Sequence, residues 1–284
     1  MRSLLRFTVL VLGALAIGEF ALTAAASRHD DKSSDHNISA QELLKKVVQN
    51  ELAADKSDNS LWKYTSLMRK SGGDTSEEIV ETQHGILILK LVENGRRLNQ
   101  GEEEQQRKHI RSLVAHPGEA LKAQQGQSQD ADQAEQMLRL LLQALLAKYG
   151  PRRGDLQALD FRPNPNSRPS SHEAEVFQAM SGTIWVDANE DRLQEIDGTL
   201  SHRVDFGWGG ILGHLDKGGR FHVVQKEVVP GHWEIVRLLV DMRGKALFFK
   251  SISVHQDETR SDYKLLPPHT TLADGAKLLD SSSS

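Results

Sequence analysis

Leu43, Leu44, Val47, Val48 and Leu52 recur three and four residues apart, the spacing that gives a helix one apolar stripe. Ser39-Ala40-Gln41-Glu42 stands at the head of this run and has the form of a capping box, with the serine accepting from a free backbone N–H and the glutamate reaching back. The pattern predicts an amphipathic helix from Ser39 to about Ala54. Residues 62–68 and 77–83 then read as short strands. Residues 85–92 (GILILKLV) carry Ile, Leu and Val at both parities. That predicts a strand buried on both sides, or one crossing between packing surfaces. Asn94-Gly95 ends it with a turn signal. Residues 100–121 are charged and broadly helical, with Ile110 and Leu113 as their few apolar contacts.

At 137–150 (MLRLLLQALLAKYG), Met137, Leu138, Leu140, Leu141, Leu142, Leu145 and Leu146 leave almost no polar side. A helix apolar all round is buried, or it is a lid over something apolar. Gly150-Pro151 is expected to stop it. The glutamine-rich residues 122–136 before it read as a mobile linker. From Leu156 the period is two. Strands are expected at 156–162, 182–187, 192–206, 221–229 and 233–240, with a long strand or strand pair at 246–263. Residues 163–171 form a Pro/Asn-rich loop, and Pro230-Gly231 is a strong turn. In the arm from 192, Ile196, Leu200, Val204 and Phe206 share one side while Glu195, Asp197, Thr199 and Ser201 share the other. One side of that arm is therefore wet. Successive strands with short turns predict an antiparallel sheet.

Between two of those strands lies the acidic knot Asp187-Ala188-Asn189-Glu190-Asp191. Asp187, Asn189 and Asp191 match the first three ligand positions of a calcium loop. The sixth position, where such a loop needs glycine, is Arg192, and the twelfth, where it needs glutamate, is Gly198. The knot therefore reads as a hairpin turn whose charges keep the tip in water.

The N-terminus changes the expected compartment. Arg2 and Arg6 precede an apolar stretch at 7–17, and Ala24-Ala25-Ala26 offers a small-residue cleavage site before Ser27. This is the pattern of a secretory signal peptide; an uncleaved anchor is the other reading, for which the run is short. Residues 27–37 are polar and read as a flexible arm. The chain has no cysteine, so disulfides and cysteine lipidation are both ruled out. Loss of the signal removes two arginines and one glutamate and moves the formal charge from −4 to −5. A mildly acidic surface argues against nucleic acid as a partner. The expectation is a soluble, periplasmic envelope protein.

Several stretches together carry a resemblance. They are Trp62 to Leu67 after the first helix, Asn94-Gly95-Arg96-Arg97-Leu98 after a strand, and Phe161-Arg162-Pro163-Asn164-Pro165. To these add Gly182-Thr183-Ile184-Trp185-Val186-Asp187 followed by Arg192-Leu193 and Ile196, and Lys217-Gly218-Gly219 before Phe221. As a set, spread over residues 43–266, they resemble the LolA/LppX/RseB-like superfamily, and more closely an uncharacterised envelope family within it. The resemblance implies an α+β domain at 38–268 with a tail at 269–284. Its sheet would be a strongly curved antiparallel β-sheet, an incomplete barrel, with helices covering the open side. Studied members bind lipids or lipoprotein acyl chains in that concavity, or sense envelope signals through a protein partner. On this fold the expected lining residues are Leu87, Leu89, Trp185, Ile196, Leu200, Val204, Phe206, Phe221, Val223, Trp233 and Ile235, which could equally fill an ordinary core. If Trp185 is fully buried, Trp185→Ala is expected to cost about 3–5 kcal/mol.

The partner-binding alternative rests on the glycine-rich stretch from Phe206 to Leu212. An exposed Trp208 there would mark a contact patch, and a buried one a corner of the sheet. Chemistry has less support. His202, His214, His222, His232 and His255 fall singly along strands and loops, and His172-Glu173 lacks the second histidine of a zinc-protease helix. No nucleophile elbow occurs, and Gly207, Gly209 and Gly210 sit in a β context without the third glycine of a dinucleotide fingerprint. Chain order does not decide whether a His, an Asp and a Ser meet in space, since triads are set by geometry. The expectation is a binding protein without catalytic residues, metal or cofactor.

Overall fold

In the computed structural model, residues 38–121, 138–169, 171–206, 213–246 and 250–281 are described. The expected signal peptide, the arm at 27–37, the linker at 122–136 and Trp208 lie outside them. Helix α1, Ala40–Ser57, starts at the expected capping box: Ser39 Oγ accepts from Glu42 N at 3.2 Å and Ser39 N donates to Glu42 Oε2 at 2.8 Å. The strands before the leucine run are β1 (Leu61–Arg69), β2 (Thr75–Thr82), β3 (Gly85–Glu93) and β4 (Arg96–Arg97). Those after it are β5 (Leu145–Arg153), β6 (Leu156–Pro163), β7 (Met180–Asp187), β8 (Arg192–Leu200), β9 (Val204–Phe206), β10 (Gly213–Leu215), β11 (Arg220–Val229), β12 (His232–Ala246) and β13 (Lys250–Leu266). Further helices include α2 (Gln100–Ala115), α3 (His172–Phe177) and α4 (Leu272–Asp280).

All thirteen strands belong to one antiparallel sheet, in the order β4-β3-β2-β1-β13-β12-β11-β8-β7-β6-β5, with β9 and β10 branching from β12. The two ends of this path do not pair, so the sheet is not closed. Most neighbours in this order are consecutive hairpins, except that β8 pairs with β11 past β9 and β10, and β1 pairs with β13 across the length of the chain. Asn94 and Gly95 both take positive φ, 52° and 73°, as a tight hairpin turn requires.

Several expectations are corrected. Of the described residues of the leucine run, 138–144 are helical, and Leu145 onward is strand β5, paired with β6. Gly150-Pro151 does not stop a helix but falls in the register shift between Tyr149 and Arg152. Proline has no N–H to offer a ladder and is tolerated at bulges and edges, and β5 is an edge strand. Its open side is met by α1: the Gln41 side chain donates to Leu145 O at 3.3 Å and accepts from Ala147 N at 2.9 Å, the two bonds a neighbouring strand would otherwise make. The arm expected at 192–206 breaks after Leu200, where the chain bonds back to Gly218 and Gly219. The C-terminal segment is not a tail, for α4 buries Leu272 and Leu279. Nor is β3 buried on both sides: Leu87 and Leu89 are dry, but Ile88 between them is 44% exposed.

The helices pack on two hydrophobic clusters, and a third, aromatic one lies on β1, β2 and β13. The larger joins Leu43, Leu44, Val47 and Val48 of α1 to β5–β8, β11 and β12, together with Leu141, Ala144, Val176 and Ala179. Each fully buried aliphatic side chain of α1 contributes about 1.5–3 kcal/mol. The smaller packs α2 and α4 on β2 and β3 through Val80, Leu87, Leu89, Ile110, Leu272 and Leu279.

Candidate functional site

Residues directly opposite in an antiparallel ladder point to the same side of the sheet. The register therefore traces one face across the molecule. Tyr149, Leu159, Ile184, Ile196, Val223, Leu238, Glu258, Met68 and Thr75 are successive partners from β5 to β2. A neighbouring row runs through Phe161, Gly182, Gly198, Phe221, Val240 and Gln256. In both rows the chemistry changes between β12 and β13: Leu238 faces Glu258, and Val240 faces Gln256. The flank from β5 to β12 is aliphatic and lies under α1, while the flank from β13 to β3 is polar and aromatic.

α1 is held over the aliphatic flank by polar contacts at its ends and apolar ones between. At the far end, the acidic knot is indeed a turn: Asp187 Oδ1 accepts from Asn189 N and Glu190 N, and Asp191 takes φ 50°. Its charges do more than keep the tip in water. Lys46 pairs with Asp191, and Asn50 Nδ2 donates to Asp191 O at 3.2 Å. Glu51, 1% exposed, accepts from Arg192 Nε and Leu193 N through Oε1 and from Arg192 Nη2 and Gln225 Nε2 through Oε2. Four donors on one carboxylate make this buried charge tolerable.

On the polar flank, Arg260 Nε and Nη2 donate to Glu258 Oε1 and Oε2 at 2.8 and 3.2 Å, and Ser66 Oγ donates to Glu258 Oε1 at 2.8 Å. Both ends of the ion pair are buried, Glu258 at 5% and Arg260 at 8% exposure. The Arg260 guanidinium lies 5.7 Å from the Tyr64 ring. Burial works against its charge, but Tyr64 and Glu258 beside it prevail and hold it protonated. Tyr64 and Tyr263 stack at 5.1 Å, and Tyr263 donates to Ile235 O. Burial raises the Tyr263 hydroxyl well above its ordinary range, against the pull of Arg260. Gln256 is 5% exposed, and its Nε2 meets no acceptor among the described residues, an arrangement that costs about 1–3 kcal/mol. Among the described residues, no helical one joins the aromatic cluster of Trp62, Tyr64, Ile79 and Tyr263 on this flank.

The expected lining residues are only partly brought together. Ile196, Leu200, Val204, Phe206, Val223 and Ile235 are in the cluster under α1, with Phe221 packed against it. Leu87 and Leu89 are instead in the smaller cluster under α2 and α4. Trp185, half-buried, points away from its buried neighbours Ile184 and Val186, and Arg153 lies 4.3 Å over its ring. Trp185→Ala is therefore expected to cost about 1–2 kcal/mol, the sum of a cation–π contact and partial burial. A loss above about 3 kcal/mol in denaturant unfolding would place the ring in the core instead. Trp233, also half-buried, caps the turn: it donates to Glu190 Oε2 and carries Arg192 at 5.5 Å.

The histidines stay apart. His222 lies 2.9 Å from Glu195, His214 is near Asp216, His255 is near Asp241, and His232 meets the Trp62 ring edge-on. Among the described residues no group of three or more His, Asp or Glu is arranged to hold a metal, and no helix is long and apolar enough to cross a membrane.

No protein-family model, curated protein or solved structure matches the chain. What the protein does must therefore be read from its own face.

The polar flank escaped the sequence reading. Gln256, Glu258 and Arg260 alternate along β13, which would have placed them on one side, but Ser253, Asp257, Thr259 and Ser261 on the other side are polar as well. Alternation without an apolar side gives no sign of which side is dry.

Proposed function

We propose that the protein is an exported binding protein that takes an apolar, acyl-chain-bearing ligand on the face covered by α1, without chemistry. The observation that carries the reading is the aliphatic flank itself: five strand pairs of one open sheet share a largely apolar surface, interrupted by Gln225 beneath Glu51 and covered by α1 together with residues 138–144 and α3 rather than by a second sheet. Each methylene removed from water is worth about 0.8 kcal/mol, so such a surface suits a hydrocarbon chain if α1 gives way to it. A bend of the sheet toward this face is part of the proposal. The reading agrees with the resemblance to LolA/LppX/RseB-like proteins and with the secretory pattern of residues 1–26.

Native mass spectrometry of protein expressed with its own N-terminus, followed by solvent extraction, tests it. The expected species begins at Ser27 and carries about one equivalent of co-purifying lipid. Lipid-free protein that also fails to bind a fluorescent fatty acid would overturn the binding reading.

A further inference from the structure

We propose that the outer edge of β3, along residues 86–90, is the docking site for a second copy of this chain, which adds its own β3 antiparallel across a two-fold axis. The sheet has two ends, and they are built differently. At β5 the Gln41 side chain takes Leu145 O and Ala147 N. Pro151 there withholds an N–H, and Lys148, Arg152 and Arg153 stand exposed. Each of these features discourages a further strand. β3 lacks such devices over most of its length. β4 pairs only with Val92 and Glu93, and Leu98 N donates to Leu91 O. Among the described residues no other strand lies beside residues 86–90 on that edge. Leu87 and Leu89 are fixed in the cluster under α2 and α4, at 0% and 1% exposure, so the strand is already ordered and adding to it costs little entropy. Ile88 between them is 44% exposed.

The edge fits itself. β4 and Leu98 fill the lane from Leu91 onward, so the longest symmetric pair is centred on Leu87. That register sets Ile86 of each copy opposite Ile88 of the other. The exposed Ile88 is thereby covered, and β-branched residues placed opposite each other favour the pairing. Lys90, the one charged residue from Gly85 to Leu91, is already paired with its own Glu93. It comes opposite His84, so no two lysines or arginines face each other. Pairing of β3 with β5 of another copy would instead propagate as an open filament. The Gln41 bonds, the proline and the cations at β5 stand against that, so the assembly closes at two copies. The contact lies on the flank away from α1 and does not depend on the binding reading.

The test is sedimentation velocity of the protein expressed with its own N-terminus, from about 1 μM to about 1 mM. Single chains are expected at the low end and a two-chain species at the high end. Ile88→Glu sets a carboxylate on the edge of each copy. Because the side chain is partly exposed, the variant is expected to keep the wild-type thermal midpoint and to raise the dissociation constant at least about tenfold. The chain has no cysteine, so introduced ones report the register without background. A mixture of Ile86→Cys and Ile88→Cys is expected to give at least about three times more disulfide-linked dimer than either variant alone. This second measurement decides the matter should Ile88→Glu lose its fold. A single chain at every concentration, growth past two copies, a folded Ile88→Glu variant that pairs as the wild type does, or equal cross-linking of the mixed and single variants would overturn the proposal.

Discussion

Glu51→Ala is expected to lower the free energy of unfolding by about 3–5 kcal/mol, the usual result of deleting one partner of a buried ion pair. The carboxylate ties the C-terminal half of α1 to β8 and β11 at once. It receives Arg192 through two bonds, the Leu193 backbone N–H and the Gln225 amide. Alanine leaves the Arg192 charge half-enclosed and the Leu193 N–H without its acceptor, and both lose more than an exposed pair would. Glu51→Gln keeps an acceptor and about the same volume, so it is expected to lose less. Urea unfolding of the two variants beside the wild type reads the difference directly. A loss below about 1 kcal/mol for Glu51→Ala would mean that α1 is not docked on the hairpin turn.

Gly182→Ala is expected to cost about 3 kcal/mol or more, at the upper end for an added methyl group. Gly182 on β7 stands opposite Gly198 on β8, and the two strands approach so closely that a Cβ at Gly182 would lie 1.9 Å from Asp197 O and 2.9 Å from the Gly198 Cα. Both obstacles are backbone, so no side chain can turn aside to make room. The β7–β8 pairing would have to part in the middle of the aliphatic flank, and thermal unfolding would show it. A near-wild-type midpoint would mean that β7 and β8 are not in this register.

These two residues also mark how far the sequence could be read. The helix at Ser39 was legible because its capping box is local: Ser39 and Glu42 satisfy each other without help from the rest of the chain. The hairpin around Asp187 was legible for the same reason. What Asp191 and Arg192 do afterwards was not, because their partners Lys46, Asn50 and Glu51 lie some 140 residues earlier. The leucine run failed differently. Seven apolar side chains fit a buried helix and a buried strand alike; residues 138–144 are helical as expected, and the pairing of Leu145 to Arg153 with β6 makes the rest a strand. At the C-terminus the signal was present and passed over. Thr271 and Asp274 form a capping box, and Leu272 and Leu279 sit on the buried side of the helix that follows. The aliphatic part of the candidate site followed from period two in β8. The polar part depends on which side of β13 turns inward, and that is set by its neighbours β12 and β1, not by β13 itself.

The most direct test of the acyl-binding face is photolabelling of the mature protein with a diazirine-bearing fatty acid, with the cross-linked peptides mapped by mass spectrometry. The proposed binding mode predicts adducts on α1 and on the inward positions of β8, β11 and β12, such as Ile196, Val223 and Leu238, competed away by unlabelled fatty acid. Adducts confined to the opposite side of the sheet, at residues such as Trp185 and His222, or labelling that unlabelled ligand does not compete, would contradict it.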